Sequence, residues 1–307
     1  MQEVRREEYV RFCENHDSIN IDEVSIPLTK RSITVTKTGP TPSGKPYHLE
    51  TTTVWSFPDR GDWATHRGDY RGNWSPYIPR NLILKYTGPN ETVLDPMVGS
   101  GTSMVECRLL GRHGLGLDVN LDAVMLSHDR LTFIVNQRLT DPSLPLGVIR
   151  LFVGDARNLD AIEANSVDLV LLHPPYSGII RYTGNRVEGD LSALSLSSFL
   201  VGMAQVAKEC MRVLRPGHHC AVLIGDSRRH QHYVPIATRV MEQFLSNGFV
   251  LKEDIVKIQH NTKGTRESWS GKKYGFYLIA HEHLLVFRKL GTDERRADFA
   301  NSVMWDR

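Results

Sequence analysis

Two short segments of the chain carry side chains whose types and spacing could act on a flat, nitrogen-rich ring. One is His173-Pro174-Pro175-Tyr176, which directly follows an apolar run at residues 167–172. Two prolines and an aromatic ring at the mouth of a buried strand make a stiff platform on which a heteroaromatic ring can stack. The other is Asp95-Pro96-Met97-Val98-Gly99-Ser100-Gly101-Thr102, an acid at a strand end followed by a glycine loop. Glycines let the backbone approach a ligand closely, so this second segment predicts a binding loop.

Strands and helices alternate around both segments and must position them. The apolar patterns predict strands at 92–94, 114–117, 148–153, 167–172, 220–224, 249–259 and 283–288, and helices at 103–110, 121–136, 196–214 and 234–246. Such alternation is typical of an α/β fold in which helices cover both faces of a parallel sheet. We therefore predict a Rossmann-like, doubly wound, mostly parallel seven-stranded sheet.

The predicted sheet belongs to one main domain at residues 55–290. Residues 1–54 mix charged sequence with irregular stretches rich in Pro and Thr, and they predict an N-terminal arm with little core of its own. Residues 291–307 form a short polar tail. From residue 55 to 79, aromatic residues, glycines and arginines follow neither helical nor strand periodicity, which predicts an ordered loop packed on the domain.

The composition is that of an ordinary globular enzyme, with 40% hydrophobic and 23% charged residues. No apolar stretch approaches the ~20 residues that cross a bilayer, and the charged start lacks the apolar core of a signal peptide. The four cysteines show no zinc-like spacing. We therefore expect a cytoplasmic protein with no membrane segment and no metal. The net charge of +2 decides nothing about nucleic acid, because local patches matter more than the sum.

Three acids stand at or just after the ends of the first three predicted strands: Asp95, Asp118 and Asp155. In a doubly wound sheet, ligands bind at this carboxyl edge. S-adenosyl-L-methionine needs such a layout, because one acid can accept both ribose hydroxyls and another can accept the adenine amine. The predicted cofactor-binding residues of this group are Asp95, Pro96, Gly99, Ser100, Gly101, Thr102, Asp118, Asn120, Asp155 and Ala156.

Other ligands and a plain glycine turn are the alternatives for this loop. A dinucleotide site would continue as GxGxxG, and a phosphate-binding loop would continue as Gly-Lys-Ser/Thr; neither sequence follows here. A turn without any ligand would not explain three acids at strand ends. Asp160 and Asp168 also flank strands, but we expect them to face solvent and assign them no role.

The chain resembles the site-specific amino-group DNA methyltransferases, which make N6-methyladenine or N4-methylcytosine. Their DPxxGSGT cofactor loop matches residues 95–102, and their (Asp/Asn/Ser)-Pro-Pro-(Tyr/Phe/Trp) catalytic loop matches Pro174-Pro175-Tyr176. Further likeness lies at residues 111–120, 212–217 and 281–289, so that the resemblance covers roughly residues 55–290. It implies the S-adenosylmethionine-dependent methyltransferase fold, a methyltransferase catalytic domain at 55–290, and His173, Pro174, Pro175 and Tyr176 as the catalytic residues.

The implied chemistry explains these residue types. A nucleobase amine is conjugated with its ring, so its lone pair is a poor nucleophile. A side chain at the first loop position and a nearby backbone carbonyl can hold both N–H bonds while the nitrogen becomes tetrahedral and attacks a sulfonium methyl group. No covalent intermediate is needed. The target base must leave its duplex, and Tyr176 would stack on it.

His173 departs from the family, which usually has Asp, Asn or Ser at that position. A neutral imidazole still offers one acceptor nitrogen, whereas an imidazolium offers none. We expect His173 to replace the usual acceptor and the rate to fall as the pH drops through roughly 6.5. The alternative is a structural histidine in an inactive relative. The substitution also leaves the base open between adenine and cytosine, with a lean towards adenine.

We expect target recognition to come from loops and the N-terminal arm, or from a partner, because no segment is long enough for a separate recognition domain. In the family, an aromatic segment completes the methionine end of the cofactor site, and residues 70–76 with Trp74 are the candidate here; the alternative is that Trp74 and Tyr77 only cover the core. The predicted DNA-binding residues lie in two loops, at 177–195 and 260–277, which are otherwise read as solvated loops: Arg181, Lys263, Arg266, Trp269, Lys272 and Lys273. Arg228-Arg229-His230 is a further candidate phosphate contact.

These observations predict a site-specific DNA amino-methyltransferase of restriction–modification or host protection. Its partners would be double-stranded DNA and, as a candidate, a cognate restriction endonuclease. An RNA guanosine-N2 methyltransferase uses a similar loop but normally adds an RNA-binding domain. A catalytically silent nucleic-acid-binding subunit would explain His173. A small-molecule methyltransferase fits the flat Pro-Pro-Tyr platform least.

Overall fold

The architecture comes from a computed structural model, which describes residues 1–21, 24–41, 47–135, 146–175, 187, 189–260 and 275–303. The strands are β1 (Gln2–Val4), β2 (Ser18–Ile21), β3 (Val24–Pro27), β4 (Ile33–Val35), β5 (Val54–Ser56), β6 (Thr92–Asp95), β7 (His113–Asp118), β8 (Phe133–Val135), β9 (Ile149–Val153), β10 (Val167–Leu172), β11 (Leu214–Ile224), β12 (Ser227–Arg229), β13 (His232–Val234), β14 (Val250–Ile258) and β15 (His281–Arg288). The helices are α1 (Arg6–Asn15), α2 (Tyr77–Tyr86), α3 (Thr102–Leu109), α4 (Leu121–Arg130), α5 (Leu196–Val213) and α6 (Ile236–Ser246).

The central sheet has nine strands in the order β1-β9-β7-β6-β10-β11-β15-β14-β5. The seven strands from β9 to β14 are those predicted from the sequence. Strands β9, β7, β6, β10 and β11 run parallel, and β15 lies antiparallel between β11 and β14. The order reverses direction beside β6, which makes a topological switch point at the carboxyl edge. This is a Rossmann-like, doubly wound, mostly parallel sheet, and the predicted fold class is confirmed.

Local sequence explains why these elements form where they do. Every residue of β10 is buried, as expected for a strand that helices cover on both faces. Helix α5 begins at Ser195, whose side chain accepts a hydrogen bond from the Ser198 backbone N–H. Helix α3 begins at Gly101, whose φ of 81° is left-handed and suits glycine. An added Cβ there would also lie 3.2 Å from the Ser127 Cα atom, so the turn into α3 depends on a glycine.

The N-terminal residues differ from the predicted arm with little core of its own. Strand β1 pairs antiparallel with β9, and the short strand β4 pairs parallel with β8. Tyr9 and Ile19 are buried in the main core, and Tyr9 donates to the buried Asp129. These elements are only three to ten residues long, so they carry too little periodicity to be recognised in sequence.

Two further expectations are corrected. The helix predicted at 121–136 ends at Arg130, because residues 133–135 form β8 and pair with the N-terminal strand β4. Asp168, expected to face solvent, is 1% exposed; its carboxylate accepts from the Thr92 backbone N–H at 2.8 Å and from Arg215 at 2.9 Å. The tail also contains structure, since a 3-10 helix spans Arg296–Ser302.

Candidate active site

A pocket opens at the carboxyl ends of β6, β7, β9 and β10, with about 790 Å³ of empty space including the part open to solvent. It lies where the switch point of the sheet predicts a ligand site. The residues that line it come from the glycine loop, the strand ends, the catalytic loop and two further segments: Tyr70, Gly72, Asn73, Trp74, Asp95, Pro96, Met97, Val98, Gly99, Ser100, Thr102, Asp118, Val119, Asn120, Asp155, Ala156, His173, Pro175, Gly189, Asp190 and Leu191.

Asp95 holds the glycine loop in shape from below. Its carboxylate accepts from the Met97 backbone N–H at 3.1 Å and from the Ser103 hydroxyl. The side chain is 2% exposed, and burial raises the pKa of Asp95 to about 7, against the opposing effect of these hydrogen bonds. Asp95 therefore fixes the turn that presents the loop to the pocket.

Asp118 ends β7 and ties the second strand to the same loop. One carboxylate oxygen accepts from the Gly99 backbone N–H at 3.0 Å, and the other accepts from the Asn120 backbone N–H at 3.0 Å. Burial raises the pKa of Asp118 to about 6, and the nearby Asp190 carboxylate adds to this effect. Each carboxylate oxygen has two lone pairs, so these bonds leave acceptor capacity towards the pocket. Asn120 itself caps α4 by accepting from Asp122 N–H at 3.0 Å.

Asp155 follows β9 and is clasped by Arg157. The guanidinium Nε lies 3.0 Å from both carboxylate oxygens, Nη2 lies 2.5 Å from Oδ2, and the Arg157 backbone N–H donates at 2.9 Å. These bonds fix the orientation of the carboxylate that was predicted to meet the adenine amine. Gly189, with φ of 94°, packs on this pair, and a Cβ at that position would lie 2.8 Å from Asp155 Oδ2. The pair and the glycine thus form one close-packed junction.

Gly189, Asp190 and Leu191 line the pocket, although the sequence analysis placed them in the loop at 177–195 that is expected to contact DNA. Asp190 is 8% exposed and accepts from the Ser192 backbone N–H at 2.8 Å, which begins a short 3-10 helix at Leu191–Ala193. Leu191 packs against Gly202 of α5, where a Cβ would lie 2.7 Å from the leucine side chain. No motif marks these residues, and their position after the catalytic loop is the single signal that could have found them.

His173 stands opposite the carboxylates and stacks on Trp74. The two ring centroids are 5.6 Å apart with an interplanar angle of 19°. Burial lowers the pKa of His173 to about 4, with Lys257 and Arg60 acting in the same direction and Glu282 against it. The imidazole is therefore neutral at physiological pH, and the expected loss of activity near pH 6.5 moves down to about pH 4. No motif in the sequence indicates this shift in pKa, because the burial comes from the tertiary fold.

Arg60 holds the backbone that carries Trp74. Its guanidinium donates to the carbonyl oxygens of Asn73 at 3.1 Å and Trp74 at 2.7 Å. Burial lowers the pKa of Arg60 to about 10, so the group stays charged. Tyr77 instead stacks on Phe57 at 4.9 Å, away from the pocket lining, and so belongs to the core. Of the two aromatics weighed for this segment, Trp74 is therefore the one at the site.

The structure brings most of the predicted site residues together. All of the predicted cofactor-binding residues line the pocket except Gly101, which lies behind the loop against Ser127. Of the predicted catalytic residues, His173 and Pro175 line it, and Pro174 is buried between them. Tyr176 and the predicted DNA-binding residues lie outside the described residues: Arg181, Lys263, Arg266, Trp269, Lys272 and Lys273.

The charges of the pocket discriminate between the ligands considered from the sequence. Asp95, Asp118, Asp155 and Asp190 line it, and none of the lining residues found in the described part of the chain is lysine or arginine. A pyrophosphate would face four carboxylates, so a dinucleotide fits poorly. S-adenosyl-L-methionine has no phosphate and carries a sulfonium cation, and its ribose and adenine offer donors to carboxylates. The pocket residues therefore fit this cofactor.

The described residues contain neither a membrane-spanning helix nor a metal-binding cluster. None of the helices in these residues is both long enough and apolar enough to cross a membrane. No group of three or more His, Cys, Asp or Glu side chains that could hold a metal ion occurs among the same residues.

Comparison with known proteins identifies relatives over parts of the chain. It is 26% identical over 114 residues to the Type II methyltransferase M.HpaI of Haemophilus parainfluenzae, covering 37% of this chain and 33% of that protein. It is 25% identical over 159 residues to the Type II beta methyltransferase M.BslI of Bacillus sp. (strain NEB-606), covering 47% and 17%. The Type II methyltransferase M2.MboI of Moraxella bovis matches at 30% over 77 residues, covering 25% and 28%. The matched stretches thus span a third or less of each relative.

Comparison with solved structures finds a SAM-dependent methyltransferase from Methanosarcina mazei, with a TM-score of 0.47 and 15% identity over 68% of this chain and 97% of that one. A TehB-like SAM-dependent methyltransferase from Corynebacterium glutamicum has a TM-score of 0.40 and 15% identity, over 69% and 86%. The model of one family, described as DNA methylase, matches residues 4–129 and 167–300. Its two matched regions contain both the glycine loop and the His-Pro-Pro-Tyr loop, and the chain belongs to this DNA methylase family.

Proposed function

We propose that this protein is a site-specific DNA methyltransferase that moves a methyl group from S-adenosyl-L-methionine to an exocyclic amine, adenine N6 or cytosine N4. One observation carries the proposal: His173 and Pro175 of the catalytic loop line the same pocket as Asp118 and the glycine loop. A cofactor held by the loop would therefore place its reactive end beside the catalytic residues. Membership of the DNA methylase family supports DNA as the substrate.

The carboxylates and the glycine loop bind and orient the cofactor in this proposal. Asp118 accepts the ribose hydroxyls, and Asp155, held by Arg157, accepts the adenine amine. Trp74 and the backbone around Gly99 border the methionine part. The bound cofactor supplies an electrophilic methyl group on its sulfonium. The role of the protein is then to bring an amine nitrogen in line with that group and to exclude water.

His173 prepares the amine of the target base. Because its imidazole is neutral at physiological pH, one ring nitrogen can accept one N–H of the amine. The Pro174 carbonyl oxygen accepts the second N–H. Together they favour a tetrahedral nitrogen with a free lone pair. The Trp74 ring stacks on the imidazole of His173 and keeps the imidazole plane fixed. Tyr176 follows two residues later and would stack on the flipped base.

The adenine form of the reaction is the one we favour, and a restriction–modification system is the biological setting. A cognate restriction endonuclease is then a candidate partner, and the cytoplasm is the expected location. Of the two expected DNA-contacting loops, the part of 177–195 that precedes Gly189 and the loop at 260–277 would supply sequence recognition.

Mass spectrometry of nucleosides tests the proposal directly. Purified protein is incubated with S-adenosyl-L-methionine carrying a deuterated methyl group and, in separate reactions, with mixed-sequence duplex DNA or with RNA, and each nucleic acid is then digested to nucleosides. Labelled N6-methyladenine or N4-methylcytosine is the expected product and identifies the base. Label found in RNA guanosine instead would point to an RNA N2-methyltransferase. Cofactor binding without label in any DNA or RNA would contradict the proposal and point to a silent subunit.

A further inference from the structure

Strands β12 and β13 form an exposed hairpin that the cofactor and catalytic sites do not use. Its sequence, Ser-Arg-Arg-His-Gln-His-Tyr-Val at residues 227–234, holds two arginines and two histidines and no acid. The turn residues His230 and Gln231 have φ of 48° and 67°, as in a tight two-residue hairpin turn. Arg229, His230, His232 and Tyr233 are all exposed. We call residues 227–234 the basic hairpin.

The sheet register places the basic hairpin on the catalytic side of the molecule. Leu172 of β10 lies opposite Val222 of β11. His173 directly follows β10, and the basic hairpin follows β11 at the same edge of the sheet. Ser227 stands five residues beyond Val222, so the hairpin begins on the order of 10–15 Å from His173. A duplex that presented a base to His173 would therefore lie within reach of the hairpin.

Polar contacts fix the base of the hairpin to the sheet. Tyr233 donates to Asp226, and Asp226 also accepts from the Ala237 backbone N–H at 2.8 Å. His283 lies 2.9 Å from Asp254 and 3.7 Å from Asp226. Its hydrogen bond to Asp254 raises the pKa of His283, which favours an imidazolium between the two acids. An imidazolium at this position offsets one of the two negative charges at the base of the hairpin.

Aromatic side chains accompany the cations of this surface. The Arg228 guanidinium lies 4.6 Å from the Phe276 ring centroid and 5.7 Å from that of Tyr233. Arg228 also donates to the Tyr277 carbonyl oxygen at 2.7 Å, and the Tyr277 side chain is 92% exposed. Exposed arginine, histidine and tyrosine side chains suit phosphate oxygens, which accept hydrogen bonds from all three.

We propose that the basic hairpin contacts the phosphate backbone of duplex DNA beside the target base, with Arg229 as its main phosphate contact. The inference rests on the proposed function, because it requires DNA at the catalytic edge. The contact positions the duplex and is independent of base sequence, so it would anchor the DNA while the loops near the catalytic site read the target.

The salt dependence of DNA binding tests the hairpin. We would measure the dissociation constant of the full chain for two duplexes of unrelated sequence at several salt concentrations, with Arg229→Gln, Arg229→Lys and Lys208→Gln as variants. Lys208 is exposed on α5, and its substitution removes the same charge at a site that is not on the hairpin. Cofactor binding by each variant serves as the check of folding.

The expected result is that Arg229→Gln lowers the slope of log K against log salt by about 0.9, the value for one lost phosphate contact, and weakens both duplexes equally. Arg229→Lys should restore the slope, and Lys208→Gln should leave it unchanged. A wild-type slope and affinity in Arg229→Gln would overturn the role of the hairpin while leaving the methyltransferase proposal intact. A wild-type protein that binds no duplex would overturn the proposed function itself, and the hairpin with it.

Discussion

Gly189 offers a sharp test of how the cofactor pocket is built, because its closest neighbour is the acid predicted to bind adenine. In Gly189→Ala, the new Cβ would stand 2.8 Å from Asp155 Oδ2 and 3.4 Å from Arg157 Nη2. Carbon and oxygen cannot rest at 2.8 Å, so the carboxylate must shift by about half an ångström out of its place against Arg157. The alanine would also occupy a φ of 94°, which costs about 1–3 kcal/mol of folding stability.

The displaced carboxylate should weaken cofactor binding. A hydrogen bond to a charged acceptor contributes about 1.5–3 kcal/mol, so its loss corresponds to roughly tenfold to hundredfold weaker binding. Isothermal titration calorimetry with S-adenosyl-L-methionine measures this directly. Gly248→Ala is the matched control, because Gly248 has φ of 98° and its nearest neighbour would be the Met211 methyl carbon at an ordinary 3.5 Å.

Both variants should lose similar unfolding free energy, but only Gly189→Ala should lose cofactor affinity. Unfolding in urea gives the first quantity and calorimetry the second. If Gly189→Ala binds the cofactor as tightly as Gly248→Ala does, Asp155 takes no part in binding and the assignment of the adenine end to this junction is refuted.

Three further predictions concern titratable side chains. Asp118→Ala should weaken cofactor binding by about 1.5–3 kcal/mol. In the wild type, cofactor affinity should fall roughly tenfold between pH 7.5 and 5, because the pKa of Asp118 is about 6 and only the ionised form accepts the ribose hydroxyls well. A pH-independent calorimetric affinity would contradict this role. Glu106→Gln should lower the unfolding free energy by about 3–5 kcal/mol, because the buried Glu106 carboxylate accepts from Trp63, His66 and Arg80 at 2.6–2.7 Å and its removal leaves the buried Arg80 guanidinium without a counter-charge. A urea midpoint like that of wild type would contradict this prediction. With saturating cofactor, titration of His173 should leave turnover unchanged from about pH 5.5 to 8, because burial lowers the pKa of this imidazole to about 4. An inflection in turnover near pH 6.5 that disappears in His173→Asn would show instead that the His173 imidazole is solvated and titrates at its usual pKa.

The sequence was sufficient for the elements whose pattern is local. The mostly apolar sequence of β10 and the strand-ending Asp118 place the sheet and its ligand edge without any tertiary information. Strand β8 was taken for the end of a helix, because Phe133, Ile134 and Val135 continue the apolar spacing of α4 and only pairing with β4 makes them a strand. Asp168 was misplaced for a related reason, since its partner Arg215 lies 47 residues away.

The site was predictable where motifs mark it and unpredictable where contacts are long-range. The glycine loop and the His-Pro-Pro-Tyr loop are motifs, so their residues could be named in advance. Gly189 and Asp190 belong to no motif, and their approach to Asp155 and Asp118 depends on how the chain returns after the catalytic loop. The neutral state of His173 likewise depends on burial and on Trp74, which lies 99 residues earlier in the sequence.

The central claim, that a neutral His173 accepts a nucleobase N–H during methyl transfer, is tested most directly by single-turnover rates with saturating S-adenosyl-L-methionine and duplex DNA. Wild type is compared with His173→Asn, which restores an acceptor found in the family, and with His173→Leu, which removes it. We expect His173→Asn to transfer methyl groups at a rate near that of wild type and His173→Leu to be slower by about 10²–10³-fold, with cofactor affinity unchanged in both. Equal rates in His173→Leu and wild type would contradict the account, because methyl transfer would then need no acceptor at this position.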